Sequence, residues 1–142
     1  MSRRTNERGS ASIEAAIGIP AFALFVGLII FGGRTATTHQ ALESAAADAA
    51  RSASLERAGP AAQHAAEQAA RASISSQQVH CLSIHVAVDA GGFQTAAGQD
   101  ATVAVTLTCR LDLSDLAVPG VPGSRTLRAT MSSPIDIWRE RS

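Results

Sequence analysis

One unbroken apolar stretch close to the N-terminus dominates the pattern of hydrophobic and polar positions. No residue between Ala15 and Gly33 is charged, and Phe, Leu, Ile and Val fill the centre of the stretch. As an α-helix, these 19 residues would extend about 28 Å, close to the ~30 Å hydrocarbon thickness of a bilayer. The pattern therefore predicts one transmembrane or signal segment.

Beyond this stretch the chain is alanine-rich with spaced charges over residues 34–58, which predicts that the membrane helix continues as a stalk. Gly59-Pro60 is typical of a helix end followed by a new start, because Gly suits the position after one helix and Pro the first turn of the next. A second helix is predicted over residues 61–76. Its alanines fall on one small-residue face, which we expect to lie against the stalk or the sheet.

Alternating apolar and polar positions then predict three strands. The first places Leu82, Ile84, Val86 and Val88 on one face. The second places Val103, Val105, Leu107 and Cys109 together, and a turn-rich loop follows over residues 114–124. The third strand is expected over residues 125–131, and Ser133-Pro134 is expected to end it. The predicted fold class is α+β: a long N-terminal transmembrane helix with its stalk, a short second helix and a small antiparallel sheet of about three strands.

Charge and composition exclude several functions. The 12 basic and 12 acidic residues balance, so a nucleic-acid binder is not expected. Aromatic residues make up 4% of the chain, which disfavours a deep pocket for a small-molecule substrate. The sequence contains no phosphate-binding loop, dinucleotide fingerprint or nucleophile elbow. We therefore expect neither enzymatic activity nor a cofactor.

The positive charge before the apolar stretch predicts its orientation. Arg3, Arg4 and Arg8 precede it against the single acidic Glu7, which favours a cytoplasmic N-terminus and an extracytoplasmic C-terminal part. Three interpretations of the segment are open: a cleaved secretory signal peptide, a plain signal anchor, and a processed segment of another kind. The first fits poorly, because the apolar run is long and no A-x-A-like site follows it.

The third interpretation rests on the residues that lead into the span. Gly9 and Ser10 precede Glu14 and the apolar run, and this order resembles the processing site of type IV prepilins and pseudopilins. The resemblance implies that a prepilin peptidase cuts after Gly9, so that Ser10 becomes the first residue and Glu14 the fifth. A carboxylate at the mouth of an apolar helix is costly near lipid unless it has a partner. The partner expected for Glu14 is the new α-amino group of Ser10 on a neighbouring subunit.

Pro20 within the span and the closing Gly33-Arg34 narrow the resemblance to the TadE-like minor pilins of the tight-adherence (Flp) pilus system. The resemblance implies a structural subunit or assembly factor in the bacterial cell membrane, with the other pilins and the pilus assembly platform as partners. The expected organisation is a cytoplasmic leader (residues 1–9), a membrane and pilin-core helix (10–34), alanine-rich extracytoplasmic helices (35–77) and a small β domain (78–142). The alternative is an unprocessed single-pass envelope protein whose external domain binds another component.

Two cysteines, Cys81 and Cys109, lie on the first two predicted strands. In an extracytoplasmic domain they suggest a disulfide, with two free thiols as the alternative. Cys109 is in phase with the apolar face of its strand and Cys81 is not, so a bulge near Cys81, or a strand that starts after it, would be needed. A metal site formed with His80 and His85 is not expected, because the spacing matches no usual zinc pattern and the two histidines point to opposite faces of a strand.

Overall fold

The computed structural model describes residues 8–116, 118–136 and 138, and of residues 8–11 it describes the backbone. Two helices and three strands make up the fold: α1 (Arg8–Ser54), α2 (Gly59–Ser76), β1 (Cys81–Asp89), β2 (Ala101–Asp112) and β3 (Ser124–Ile135). The predicted α+β class is confirmed. Short 3-10 turns at Gly91–Gln94 and Ser114–Leu116 lie in the two loops between the strands.

α1 is a single helix that contains both the apolar stretch and the stalk. Pro20 lies inside it without ending it, as membrane helices tolerate. The helix ends at Ser54, four residues before the expected end of the stalk, and Leu55 and Glu56 donate their backbone N–H groups to Ser52 and Ala53 in a tightened last turn. Pro60 occupies the first turn of α2, as predicted. Gly59 is the first residue of α2 rather than the residue after α1, so α2 begins two residues before the predicted position 61.

The C-terminal half of α1 supplies most of the helical core. Its buried positions recur with the period of one helix face. Apart from Leu42 and the polar Thr38 and Ser54, they are alanines: Ala41, Ala45, Ala46, Ala49, Ala50 and Ala53. α2 contributes Ala62, Ala66, Ala70 and Ile74 from its own buried face. Because these side chains are small, the two helices approach closely and pack along an alanine seam.

The sheet is an antiparallel meander in the order β1-β2-β3, and both helices cover the same face of it. The central strand β2 alternates strictly between buried and more exposed residues, as the sequence predicts. Its buried side chains, Val103, Val105, Leu107 and Cys109, join the helical face in one continuous core. The opposite face is rich in threonine, and a hydrogen bond of 2.9 Å joins the hydroxyls of Thr106 and Thr130.

Two expectations for the strands are wrong. β3 does not end at Ser133-Pro134 but continues to Ile135, with Pro134 paired to Thr102. β3 is an edge strand, where a proline is tolerated because its missing N–H removes no bond that the sheet needs. Leu82 is 57% exposed rather than inward-facing, because the register shifts between Cys81 and Ser83 and turns its side chain to the outer face.

Candidate functional site

The membrane-facing half of α1 is the first candidate surface. In the described part of the chain it is the one helix long and apolar enough to cross a membrane. Its large apolar side chains are exposed, among them Ile13, Ile17, Ile19, Phe22, Phe25 and Ile29. Water solvates such a surface poorly, so lipid or neighbouring helices must cover it.

The residues predicted to be processed lie at the beginning of this helix. α1 starts at Arg8, so the backbone of Gly9 and Ser10 is in its first turn, whereas the leader residues 1–7 lie outside the described residues. Glu14 follows Ser10 by about one helical turn and is exposed. The structure therefore places Gly9, Ser10 and Glu14 on one short helical segment that leads into the apolar surface.

We use the term head for α2, the three-stranded sheet and the loops that join them. Gly27 is a close-approach point for the head of the same chain. A Cβ atom at this position would lie 2.8 Å from a methyl carbon of Val118, in the loop between β2 and β3. At Gly18, Gly32 and Gly33 an added Cβ would meet nothing within 4 Å. Gly27 thus serves an intramolecular contact.

Arg34 and Phe31 connect the span to the head just beyond this contact. The guanidinium of Arg34 donates to both carboxylate oxygens of Asp115, each at 2.8 Å. The guanidinium carbon of Arg125 lies 6.0 Å from the centre of the Phe31 ring, within the range of a cation–π contact. The sequence indicated Asp115 only as a turn residue, since nothing in a linear pattern pairs positions 34 and 115.

A groove of about 620 Å³ opens beside this ion pair, between α1, the C-terminal end of α2 and the end of β2. Its charged groups already serve the fold. Arg34 and Asp115 are paired with each other, and Asp112 accepts hydrogen bonds from the backbone N–H and the hydroxyl of Ser114. The backbone N–H of Ser114 is the largest cause of the lowered pKa of Asp112. This arrangement indicates that the charged groups of the groove connect α1 to the loop after β2, rather than forming a ligand site.

The two cysteines are joined as the sequence suggests. Cys81 and Cys109 form a disulfide with a Cα–Cα distance of 5.6 Å, within the usual range for such bonds. The register shift between Cys81 and Ser83 is the bulge that the phase mismatch required. Since both sulfurs are in this bond, neither is a thiolate metal ligand, and no group of three metal-ligating side chains occurs within residues 12–116, 118–136 and 138.

Comparison with known proteins gives a family match that lies within α1. Residues 9–51 match a family model described as "TadE-like protein". The matched segment begins at the glycine of the expected processing site and ends three residues before the end of α1. No curated protein and no solved structure matches the chain. The sheet and α2 lie outside the family match.

Proposed function

Because residues 9–51 carry a TadE-like segment, we propose that the chain is a minor pilin-like structural subunit or assembly factor of a tight-adherence type IV pilus. It is held in the bacterial cell membrane by α1 and is processed after Gly9 by the prepilin peptidase. Its work is structural rather than catalytic. The family match over the membrane helix is the observation that carries this proposal.

The proposed orientation has the leader in the cytoplasm and the head outside the cell membrane. The arginines before the span support it, and so does the disulfide between Cys81 and Cys109, because such bonds persist in extracytoplasmic compartments. Cleavage after Gly9 removes these arginines together with the leader. The helix is then freed to leave the bilayer and to pack against other pilins at the assembly platform.

Glu14 is proposed to pair with the new α-amino group of Ser10 on an adjacent subunit. A contact between the start of one helix and the fifth residue of the next is heterologous, and repeated contacts of this kind generate open filaments. Exposed apolar side chains on the span supply the surface along which such helices would pack.

The test is the intact mass of the protein extracted from membranes of a strain with an active tight-adherence system. We expect a chain that starts at Ser10. Gly9→Leu should leave the full-length form, because the resemblance to prepilins places the cut directly after a glycine. Gly18→Leu is the matched control, since space is open at that position, and it should be processed normally.

An unprocessed terminus on the wild-type protein would contradict the proposal. It would favour the alternative of a single-pass envelope protein that keeps its leader and binds another component through its head.

A further inference from the structure

The loop between β2 and β3 contains a segment without charge at the membrane side of the head. Residues 118–123 read Val-Pro-Gly-Val-Pro-Gly, between Asp115 on one side and Arg125 on the other. We call these six residues the VPG loop. Val118 fits against Gly27 of α1, and Gly27 lies inside the uncharged stretch of the span. The loop is therefore beside a part of the helix that the sequence places in lipid.

The depth of this contact follows from helix geometry. Gly27 precedes Arg34 by seven residues, which corresponds to about 10 Å along the helix axis. Arg34, Asp115 and Arg125 form a charged belt where the apolar part of α1 ends. The VPG loop thus reaches past this charged belt toward the bilayer.

The exposed residues that follow Gly27 on α1 give a second, independent argument for the depth of the VPG loop in the membrane. Leu28, Ile29 and Ile30 follow Gly27 and are 46%, 59% and 47% exposed. If the head were held clear of the membrane so that the loop stayed in water, these three side chains would be drawn into water with it. Keeping them in lipid keeps the loop at the membrane.

The backbone of the VPG loop is adapted to a medium poor in hydrogen-bond partners. The N–H of Val121 donates to the carbonyl of Val118 at 3.1 Å, and Gly120 has a φ of +82°. Pro followed by a positive-φ Gly is the pattern of a type II turn. Pro119 and Pro122 have no N–H to leave unsatisfied, which lowers the cost of placing a turn near lipid.

We propose that the VPG loop is a second membrane contact, which seats the head on the outer leaflet of the bilayer at the boundary between acyl chains and headgroups. The partner is lipid: acyl carbons for Val121 and the prolines, and headgroup phosphates for the guanidinium of Arg125, since that of Arg34 is paired with Asp115. This inference rests on the membrane insertion proposed above. It assigns the loop a role that the TadE-like segment does not cover.

The test measures tryptophan depth in the full chain, reconstituted in phosphatidylcholine vesicles with or without bromine on the lipid acyl chains. Trp138 is the single tryptophan, so Trp138→Phe gives a silent background. Three probes are then introduced one at a time. Val121→Trp reports the loop, Phe25→Trp the span, and Gln99→Trp the exposed loop at the opposite end of the sheet.

We expect Val121→Trp to show blue-shifted emission and quenching by brominated lipid comparable to Phe25→Trp, while Gln99→Trp is neither shifted nor quenched. Resistance of the cysteines to alkylation checks that each variant keeps its fold. If Phe25→Trp is quenched and Val121→Trp emits as in water, the loop proposal is wrong and the membrane proposal stands. If Phe25→Trp is not quenched, both are wrong.

A further outcome would also overturn the inference. Blue-shifted emission from Val121→Trp that resists brominated lipid, and that disappears on dilution with excess lipid, would show that a second copy of the chain covers the loop.

Discussion

Arg34 marks the residue where the apolar part of α1 meets the head. In the sequence, Arg34 is the first charged residue after the apolar stretch. In the structure, its guanidinium also forms an ion pair with Asp115, 81 residues later in the chain. The two side chains are 46% and 59% exposed, and exposed pairs of this kind contribute about 0–1 kcal/mol. The pair therefore orients the head on the stalk more than it stabilises the fold.

Glu14 is the residue whose substitution separates insertion from assembly. Glu14→Gln leaves Gly9 and the apolar span unchanged, so we expect normal membrane levels and normal cleavage. Assembly should fail, because the α-amino group freed by cleavage has lost its acceptor, and stranding one charge of a buried pair costs about 3–5 kcal/mol. Membrane level, N-terminal mass and surface pili are measured in one strain.

Glu67→Gln is the control for that experiment, since it makes the same chemical change on α2, away from the span. It should leave piliation intact. Normal pili with Glu14→Gln would show that Glu14 is only a boundary residue and would favour the plain signal anchor.

At the scale of elements, the disulfide connects the two strands of the β1–β2 hairpin. It closes a loop across a sequence separation of 28, for which chain entropy predicts a stabilisation of about 3–4 kcal/mol. Reduction should lower the melting temperature of the full chain in micelles, and alkylation should label both cysteines only after reduction. Labelling without reductant would show that the bond does not form in the cell.

The control variant for reduction replaces both Cys81 and Cys109 by Ser. Its melting temperature should be lower than that of the oxidised protein and should not change with reductant, which separates loss of the bond from general effects of the reductant.

The close packing expected along the alanine seam between α1 and α2 can be tested with one substitution. Ala46 is fully buried and its neighbour Ala47 is exposed, so the two positions form a matched pair with similar helix propensity. Ala46→Leu should destabilise the head by about 1–3 kcal/mol through overpacking, whereas Ala47→Leu should change stability little. Urea unfolding followed by circular dichroism measures both; equal effects would show that the seam is loosely packed.

Sequence periodicity predicted the helices and strands well where the alternation of buried and exposed side chains is regular along the whole element. The buried face of β2, the alanine face of α2 and the restart at Gly59-Pro60 are local patterns, and the structure agrees with them. Leu82 was misplaced because a bulge changes the phase of β1, although the mismatch of Cys81 and Cys109 already required one. Pro134 was misread because a linear pattern does not show which strand is at the edge.

The candidate site was predictable only in part for a similar reason. Gly9, Ser10 and Glu14 form a short linear motif, so the sequence alone could single them out. The contacts of Arg34 with Asp115 and of Gly27 with Val118 join distant parts of the chain. The one linear signal for them was the charge-free VPG loop between charged flanks, which the sequence indicated only as a turn.

At the scale of the whole molecule, the proposed processing after Gly9 would change the charge of the protein. Residues 1–9 contain Arg3, Arg4 and Arg8 and one acidic residue, Glu7. Their removal leaves 9 basic and 11 acidic side chains of the original 12 and 12, a net side-chain charge of −2. We expect the mature chain to focus at a lower pH than its precursor, and two-dimensional gels of wild type and Gly9→Leu measure the shift.

Under the proposed processing, cleavage also removes Arg3, Arg4 and Arg8 from the N-terminus. As long as they remain, they oppose movement of the N-terminus across the membrane. A mature form that focused together with the precursor would contradict removal of this segment.

The continuity of α1 has a mechanical consequence. At 47 residues the helix is about 70 Å long, and no loop interrupts it between the membrane end and the alanine seam. Tension applied to the head passes into α1 as shear along that seam, and then along the helix axis to its N-terminal end. Because the helix is continuous, a pull on the head is transmitted along α1 with little extension. The force reaches the membrane end of the same chain directly.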